Sequence, residues 1–167
     1  MLYSNGNRLL GNVLEGMGDD GIFLIGSSEN VLQHNTTIDG SYGIYLQPDF
    51  FWFVYVSSGN VIKSNKVSGN AVDGITLLGP SNGNVVRGNA VTDNGGVGVL
   101  LQGLSPFGLP FPAGNTMRGN TVFRNAVIDL AEIDLDENFE PVVPAECSNL
   151  WEHNAFDTAI GPEMCIE

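Results

Sequence analysis

Asparagine recurs along this chain in a fixed register, and that register restricts the fold more tightly than any other feature. Of 18 asparagines, twelve fall in six pairs five residues apart: Asn7/Asn12, Asn30/Asn35, Asn60/Asn65, Asn84/Asn89, Asn115/Asn120 and Asn149/Asn154. Glycine precedes four of the first members, at Gly6, Gly59, Gly83 and Gly114. Thirteen or fourteen residues after the first member comes a Gly-Ile or Gly-Val step, Gly21-Ile22, Gly43-Ile44, Gly74-Ile75 and Gly98-Val99, with Asp129-Leu130 in that place in the fifth unit. Unit starts are 23, 30, 24, 31 and 34 residues apart, which reads as a basal unit of 23 or 24 residues with three enlarged copies. A chain built this way repeats one supersecondary unit that no single copy can bury.

Within a unit the apolar residues alternate in short bursts. After the glycine they run Ile22/Leu24, Ile44/Leu46, Ile75/Leu77 and Val99/Leu101, the two-residue period of a strand with one face inward. A second burst stands two after the first Asn (Leu9, Leu32, Ile62, Val86, Met117, Trp151). A third stands two after the second Asn (Leu14, Thr37, Val67, Val91, Val122, Phe156). Three short strands per unit, joined by Asn/Gly bends, predict a triangular coil, and about six coils stacked at about 4.8 Å predict parallel sheets. Asn suits the bends because it tolerates the left-handed region and because its amide can bond its copy on the next coil. The column Asn12, Asn35, Asn65, Asn89, Asn120 and Asn154 is therefore expected to be a structural ladder before it is a binding site. Asn70, Asn94 and Asn125 form a partial third column. The hexapeptide period of left-handed solenoids and the Gly-Gly-x-Gly-x-Asp repeats that bind calcium are both missing. So is an outward threonine column, since the nearest reads Val13, Thr36, Lys66, Ala90, Thr121.

The 167 residues suit a single domain, 1–167, with a closing segment over 130–167. Six basic against nineteen acidic residues give a net charge of −13. Such a surface repels phosphate backbones and anionic lipid, so neither nucleic acid nor membrane is an expected partner. No apolar run approaches the roughly 18 residues of a membrane span. Cys147 and Cys165 bracket the last segment, which points to a disulfide and to export, extracellular or periplasmic; a pair of small buried thiols is the alternative. The first residues, Met1 to Gly6, lack the basic head and apolar stretch of a signal peptide, so an export signal would lie upstream.

The Asn-x-Val-x-x-Asn-x-Val and Gly-Ile-x-Leu elements resemble the right-handed parallel β-helix repeat proteins. This pectate-lyase-like superfamily includes pectate lyases, polygalacturonases, alginate epimerases and copper-pathway proteins of the NosD type. The resemblance runs from about Asn5 to Phe156, and the tail through Cys165 looks like the closing coil of secreted members. It implies an all-β, single-stranded right-handed solenoid. Because relatives carry sugar chains along an outer sheet, it also implies polysaccharide as the ligand class. Their catalytic signatures, Asp-Pro-His-Glu or Gly-His-Gly with Arg-Ile-Lys, do not occur here. The usual N-terminal cap is absent as well. Either this is the C-terminal part of a longer protein or another subunit covers the open end.

Three groups of residues carry candidate chemistry. Three after the first Asn lie Leu10, Gln33, Lys63, Arg87, Arg118 and Glu152. Stacked in register, Lys63, Arg87 and Arg118 make a cationic stripe that an acidic glycan would neutralise; splayed, screened surface side chains are the plainer alternative. Asp19, Asp20 and Asp73 precede the Gly-Ile glycines and are weak catalytic or calcium-binding candidates, against an ordinary role as bend residues. The enlarged copies place residues 47–58, 103–113 and 131–146 at one corner of the coil. In the first of these, Phe51, Trp52 and Tyr55 could stack on sugar rings, fold back as a flap, or contact another subunit. His34 and His153 share a column four coils apart and read as turn residues, so no metal or other cofactor is predicted beyond a possible calcium. The reading that follows is a carbohydrate-binding or scaffold β-helix of an exported protein. The alternatives are a lyase, hydrolase or epimerase of acidic glycans, and a spike or oligomerisation segment joined through 47–58 or through the open first coil.

Overall fold

The computed structural model describes residues 1–50, 55–162 and 165. Each repeat unit forms one coil of three strands. The first coil holds β1 (Arg8–Leu10), β2 (Val13–Glu15) and β3 (Ile22–Ile25), and the second β4 (Val31–Gln33), β5 (Thr36–Ile38) and β6 (Ile44–Gln47). The third holds β7 (Val61–Lys63), β8 (Lys66–Ser68) and β9 (Ile75–Leu78), and the fourth β10 (Val85–Arg87), β11 (Ala90–Thr92) and β12 (Val97–Gln102). The fifth holds β13 (Thr116–Arg118), β14 (Thr121–Phe123) and the long β15 (Ile128–Leu135), followed by β16 (Pro141–Val142). A short sixth coil holds β17 (Leu150–Glu152), β18 (Ala155–Phe156) and β19 (Ala159–Ile160).

Stacking the coils makes three parallel sheets, β1-β4-β7-β10-β13-β17, β2-β5-β8-β11-β14-β18 and β3-β6-β9-β12-β15, the last extended by β19. Two pairings among the described residues are antiparallel, β15 with β16 in the enlarged segment 131–146 and an isolated bridge between Leu104 and Leu109. Register follows the sequence repeat: Ile44 pairs with Ile75, Ile75 with Val99 and Val99 with Leu130. Inward side chains from the three sheets meet in one core, with Leu24, Leu46, Leu77, Leu101, Ile62, Met117 and Trp151 among its buried members. The Gly of the Gly-Ile step is required by close approach. A Cβ on Gly74 would stand 2.3 Å from Val91 Cγ1 and 2.6 Å from the Gly98 carbonyl. In the last full coil Asp129 takes that position, and its carboxylate accepts from the Asn125 amide groups and from the backbone of Asp157 and Thr158.

The Asn columns are ladders. Along Asn12, Asn35, Asn65, Asn89, Asn120 and Asn154, each backbone N–H and each Nδ2 donates to Oδ1 of the next Asn at 2.8–3.1 Å. The column from Asn7 to Asn149 does the same, and so does the shorter one from Asn70 to Asn125. One expectation differs in detail, because the ladder asparagines themselves do not occupy the left-handed region. The residue before each does: Gly11, His34, Ser64, Gly88, Gly119 and His153 all have φ between 53° and 66°. A left-handed residue turns the chain and aims the following side chain into the corner, where its amide reaches the next coil. His34 and His153 are such turn residues.

Cys147 and Cys165 form a disulfide with Cα atoms 5.5 Å apart, tying the closing segment together. Among the described residues no helix is long and apolar enough to cross a membrane.

Candidate functional site

The outer face of the first sheet carries two rows. Residues one after the first Asn give Val31, Val61, Val85 and Thr116, which pair strand to strand. Residues three after it give Gln33, Lys63, Arg87, Arg118 and Glu152, paired in the same strict register. Three cations therefore stand on three neighbouring strands, spaced by about the 4.8 Å of a β ladder. Arg87 and Arg118 are exposed and Lys63 is half-buried. Arg118 lies 3.7 Å from Glu152, while Lys63 and Arg87 form no ion pair among the described residues.

Repulsion along the row is modest in water and is offset by a carboxylate only at Arg118, in a protein whose net charge is −13. An open groove of about 460 Å³ runs beside the row, lined by Gln33, Lys63, Ser64, Arg87, Gly88, Arg118 and Gly119. A second depression, of about 380 Å³, lies on the other flank, over Val61, Val85 and Thr116 between the two arginines. The cation row was visible in the sequence. The valine row beside it was missed, although the same register arithmetic, one place after the first Asn, would have found it.

The carboxylates fall elsewhere, on the outer side of the third sheet. Asp20 accepts the backbone N–H of Tyr42 at 3.3 Å, and Asp73 accepts the backbone N–H of Val97 at 2.7 Å and the Thr76 hydroxyl at 3.1 Å. Each thus holds an amide of the following coil, the work of a bend residue. Burial pushes both carboxyls above the usual range, with the backbone bonds pulling the other way. Asp19 is exposed, and its like charge adds to the rise at Asp20. Tyr42, which the sequence did not single out, sits between Asp20 and Asp73, and its ring stacks on Tyr45, which stacks on Phe23. Burial, reinforced by Asp73 and Asp20, raises the Tyr42 hydroxyl.

Two of the enlarged segments, 103–113 and 131–146, meet at one corner. In 103–113 a short 3₁₀ turn, Ser105–Phe107, lets Leu104 and Leu109 pack on Leu78, with Tyr45 and Leu135 against them. Phe107 touches Phe139 of segment 131–146, with ring centroids 5.4 Å apart. Tyr55 packs on Tyr3 of the first coil at 4.9 Å and stays half exposed. Phe51 and Trp52 lie outside the described residues. Among the described residues no three His, Cys, Asp or Glu side chains gather as metal ligands would.

Residues 1–139 match the family described as right handed beta helix region. The chain belongs to that family. As a β-helix it is similar in structure to the A-modules of two mannuronan C-5 epimerases of Azotobacter vinelandii. With the AlgE6 module the TM-score is 0.59 at 16% identity, and with the AlgE4 module 0.60 at 15%. Each alignment covers 93% of this chain and 47% of the other, so this β-helix spans about half the length of those modules. At such identities the likeness is one of fold. No curated protein matches this β-helix in sequence.

Proposed function

We propose that this β-helix is a polysaccharide-binding part of an exported protein, and that an acidic glycan lies along the row Lys63, Arg87 and Arg118. The observation that carries the reading is the register of that row. Half of the six cations of a strongly acidic chain stand on successive coils beside an open groove, and two of them have no carboxylate partner among the described residues. A polyanion would relieve their mutual repulsion and form charge-assisted hydrogen bonds. The fold supports the ligand class, because the two similar modules are named for mannuronan. Export is supported by the Cys147–Cys165 disulfide, a bond that persists in oxidising compartments. Asp20 and Asp73 are engaged with backbone amides, so binding is favoured over catalysis.

The test is affinity for polygalacturonate and alginate, with and without calcium, for the parent and for Arg87→Ala/Arg118→Ala. Loss of two charge-assisted contacts should weaken binding by about a hundredfold at low salt. Added salt should weaken the parent as well. Unchanged affinity in the double variant would sink the proposal.

A further inference from the structure

We infer that the exposed aromatic pair Phe107 and Phe139, set among carboxylates on the enlarged segments, is a docking surface for a basic protein segment presenting arginine or lysine side chains. It is separate from the cation row and takes a partner of the opposite charge.

The two rings are displayed rather than packed. Phe107 is 60% and Phe139 55% exposed, and the rings meet at 5.4 Å between centroids with a tilt of 58°. Neither ring joins the buried clusters among the described residues. Their supports are nonetheless fixed. Ser105, two before Phe107, donates its backbone N–H and its hydroxyl to Asp134 at 3.2 and 2.5 Å. The hairpin between β15 and β16 is tied by Asp136, whose Oδ1 accepts the N–H groups of Asn138 and Glu140 at 2.8 and 3.0 Å. That turn holds Phe139 at φ 64°, a left-handed conformation that bulky side chains rarely adopt and Asn or Gly fills more easily. A phenylalanine kept there at a cost to the turn, with its ring in water, is explained by contact with a partner.

Charge names the partner. Asp136, Glu137 and Glu140 stand within three residues of Phe139, and no lysine or arginine follows Arg124 in the chain. The amides of Glu140 and Asn138 hold the Asp136 carboxyl below the usual range, so it stays ionised. Ring faces attract organic cations, and the carboxylates add a second attraction for the same charge. A uronate chain would be repelled. So would a second copy bringing the same hairpin to an isologous contact. A neutral sugar would gain from the rings but not from the carboxylates. Arginine suits the surface best, because its planar guanidinium stacks on a ring while its N–H groups reach a carboxylate.

The experiment is an anisotropy titration of the whole chain, at about 0.15 M salt, with a labelled tetra-arginine peptide and its uncharged tetra-citrulline counterpart. The arginine peptide should bind and the citrulline peptide should not. Phe107→Leu/Phe139→Leu keeps apolar bulk and charge but loses the ring faces, and should weaken binding about tenfold. Glu137→Gln/Glu140→Gln should weaken it to a similar degree. Glu15→Gln/Glu29→Gln, the same charge change at the first two coils, should stay within about twofold of the parent. Phe139→Asn should bind about threefold more weakly yet melt at or above the parent, since it relieves the turn. Parent-like binding by the Leu pair, equal binding of the citrulline peptide, or equal losses from the two Glu pairs would overturn the surface. A lower melting temperature for Phe139→Asn would overturn it too, by making the ring a folding residue. None of these outcomes bears on the polysaccharide reading, which the Arg87/Arg118 variant tests separately.

Discussion

Each interior ladder asparagine performs several tasks at once. Asn65 accepts from the backbone and side chain of Asn35 and donates to Asn89 and to the Leu32 carbonyl. Asn65→Ala therefore strips partners from several buried groups, and we expect a loss of about 3 kcal/mol or more in chemical denaturation. Asn12 is exposed at the start of the same column, and among the described residues its side chain only donates to Asn35. Asn12→Ala should cost under about 1 kcal/mol, and equal losses at the two positions would contradict the ladder account. Thr37 makes the converse case. It fills the inward position held by Val67, Val91 and Val122, and its buried hydroxyl has no hydrogen-bond partner among the described residues. Thr37→Val keeps the shape and removes the orphaned group, so it should stabilise by about 1 kcal/mol in the same assay.

At the scale of elements, three-residue strands are too short to persist alone, and each is held by copies above and below. Among the described residues the last coil pairs on one side only, and β18 and β19 shrink to two residues each. The closing segment compensates with covalent and polar ties. The disulfide spans 18 residues and links the approach to β17 with the chain after β19. Replacing both cysteines by serine should cost about 3 kcal/mol, the loop-closure figure for this span. Thermal melting of that variant beside the oxidised parent measures it, and equal midpoints would mean that the clasp is ornamental to folding. Glu132 adds a polar tie at the inward position where earlier coils carry leucine. Its carboxylate accepts from Trp151 Nε1 at 2.7 Å and Asn149 Nδ2 at 3.0 Å.

For the molecule as a whole, buried carboxyls and surplus negative charge give stability one direction in pH. Burial raises Glu132 above the ordinary 4.5, although Trp151, Asn149 and Ser148 pull it down. Burial likewise raises Asp73 above 3.8. A group that holds its proton more tightly when folded contributes stability that is complete below its unfolded value and is lost as pH rises through the folded one. Asp129 is lowered and acts oppositely, its contribution being lost in acid as pH falls below 3.8. The melting temperature should therefore rise as pH is brought from neutral toward the region just above 4.5, and Glu132→Gln should flatten that rise. A parent midpoint that falls over this interval would refute the balance.

The sequence by itself determined the coil. Asn pairs, Gly-Ile steps and two-residue alternation are local, periodic signals, and stacking is the arrangement that buries every inward face they define. Register followed too, so Lys63, Arg87 and Arg118 could be aligned before any coordinates. Tertiary structure decided what lies between columns and between coils. It moved the left-handed turn to the residue before each Asn and gave Asp20 and Asp73 to backbone amides. It also folded Leu104 and Leu109 onto Leu78 and buried Glu132 against Trp151. These contacts join residues of different phase in the repeat or residues outside it. Periodicity fixes what stands above what, whereas the side-chain packing that makes neighbours of unlike positions exists only once the coil has closed.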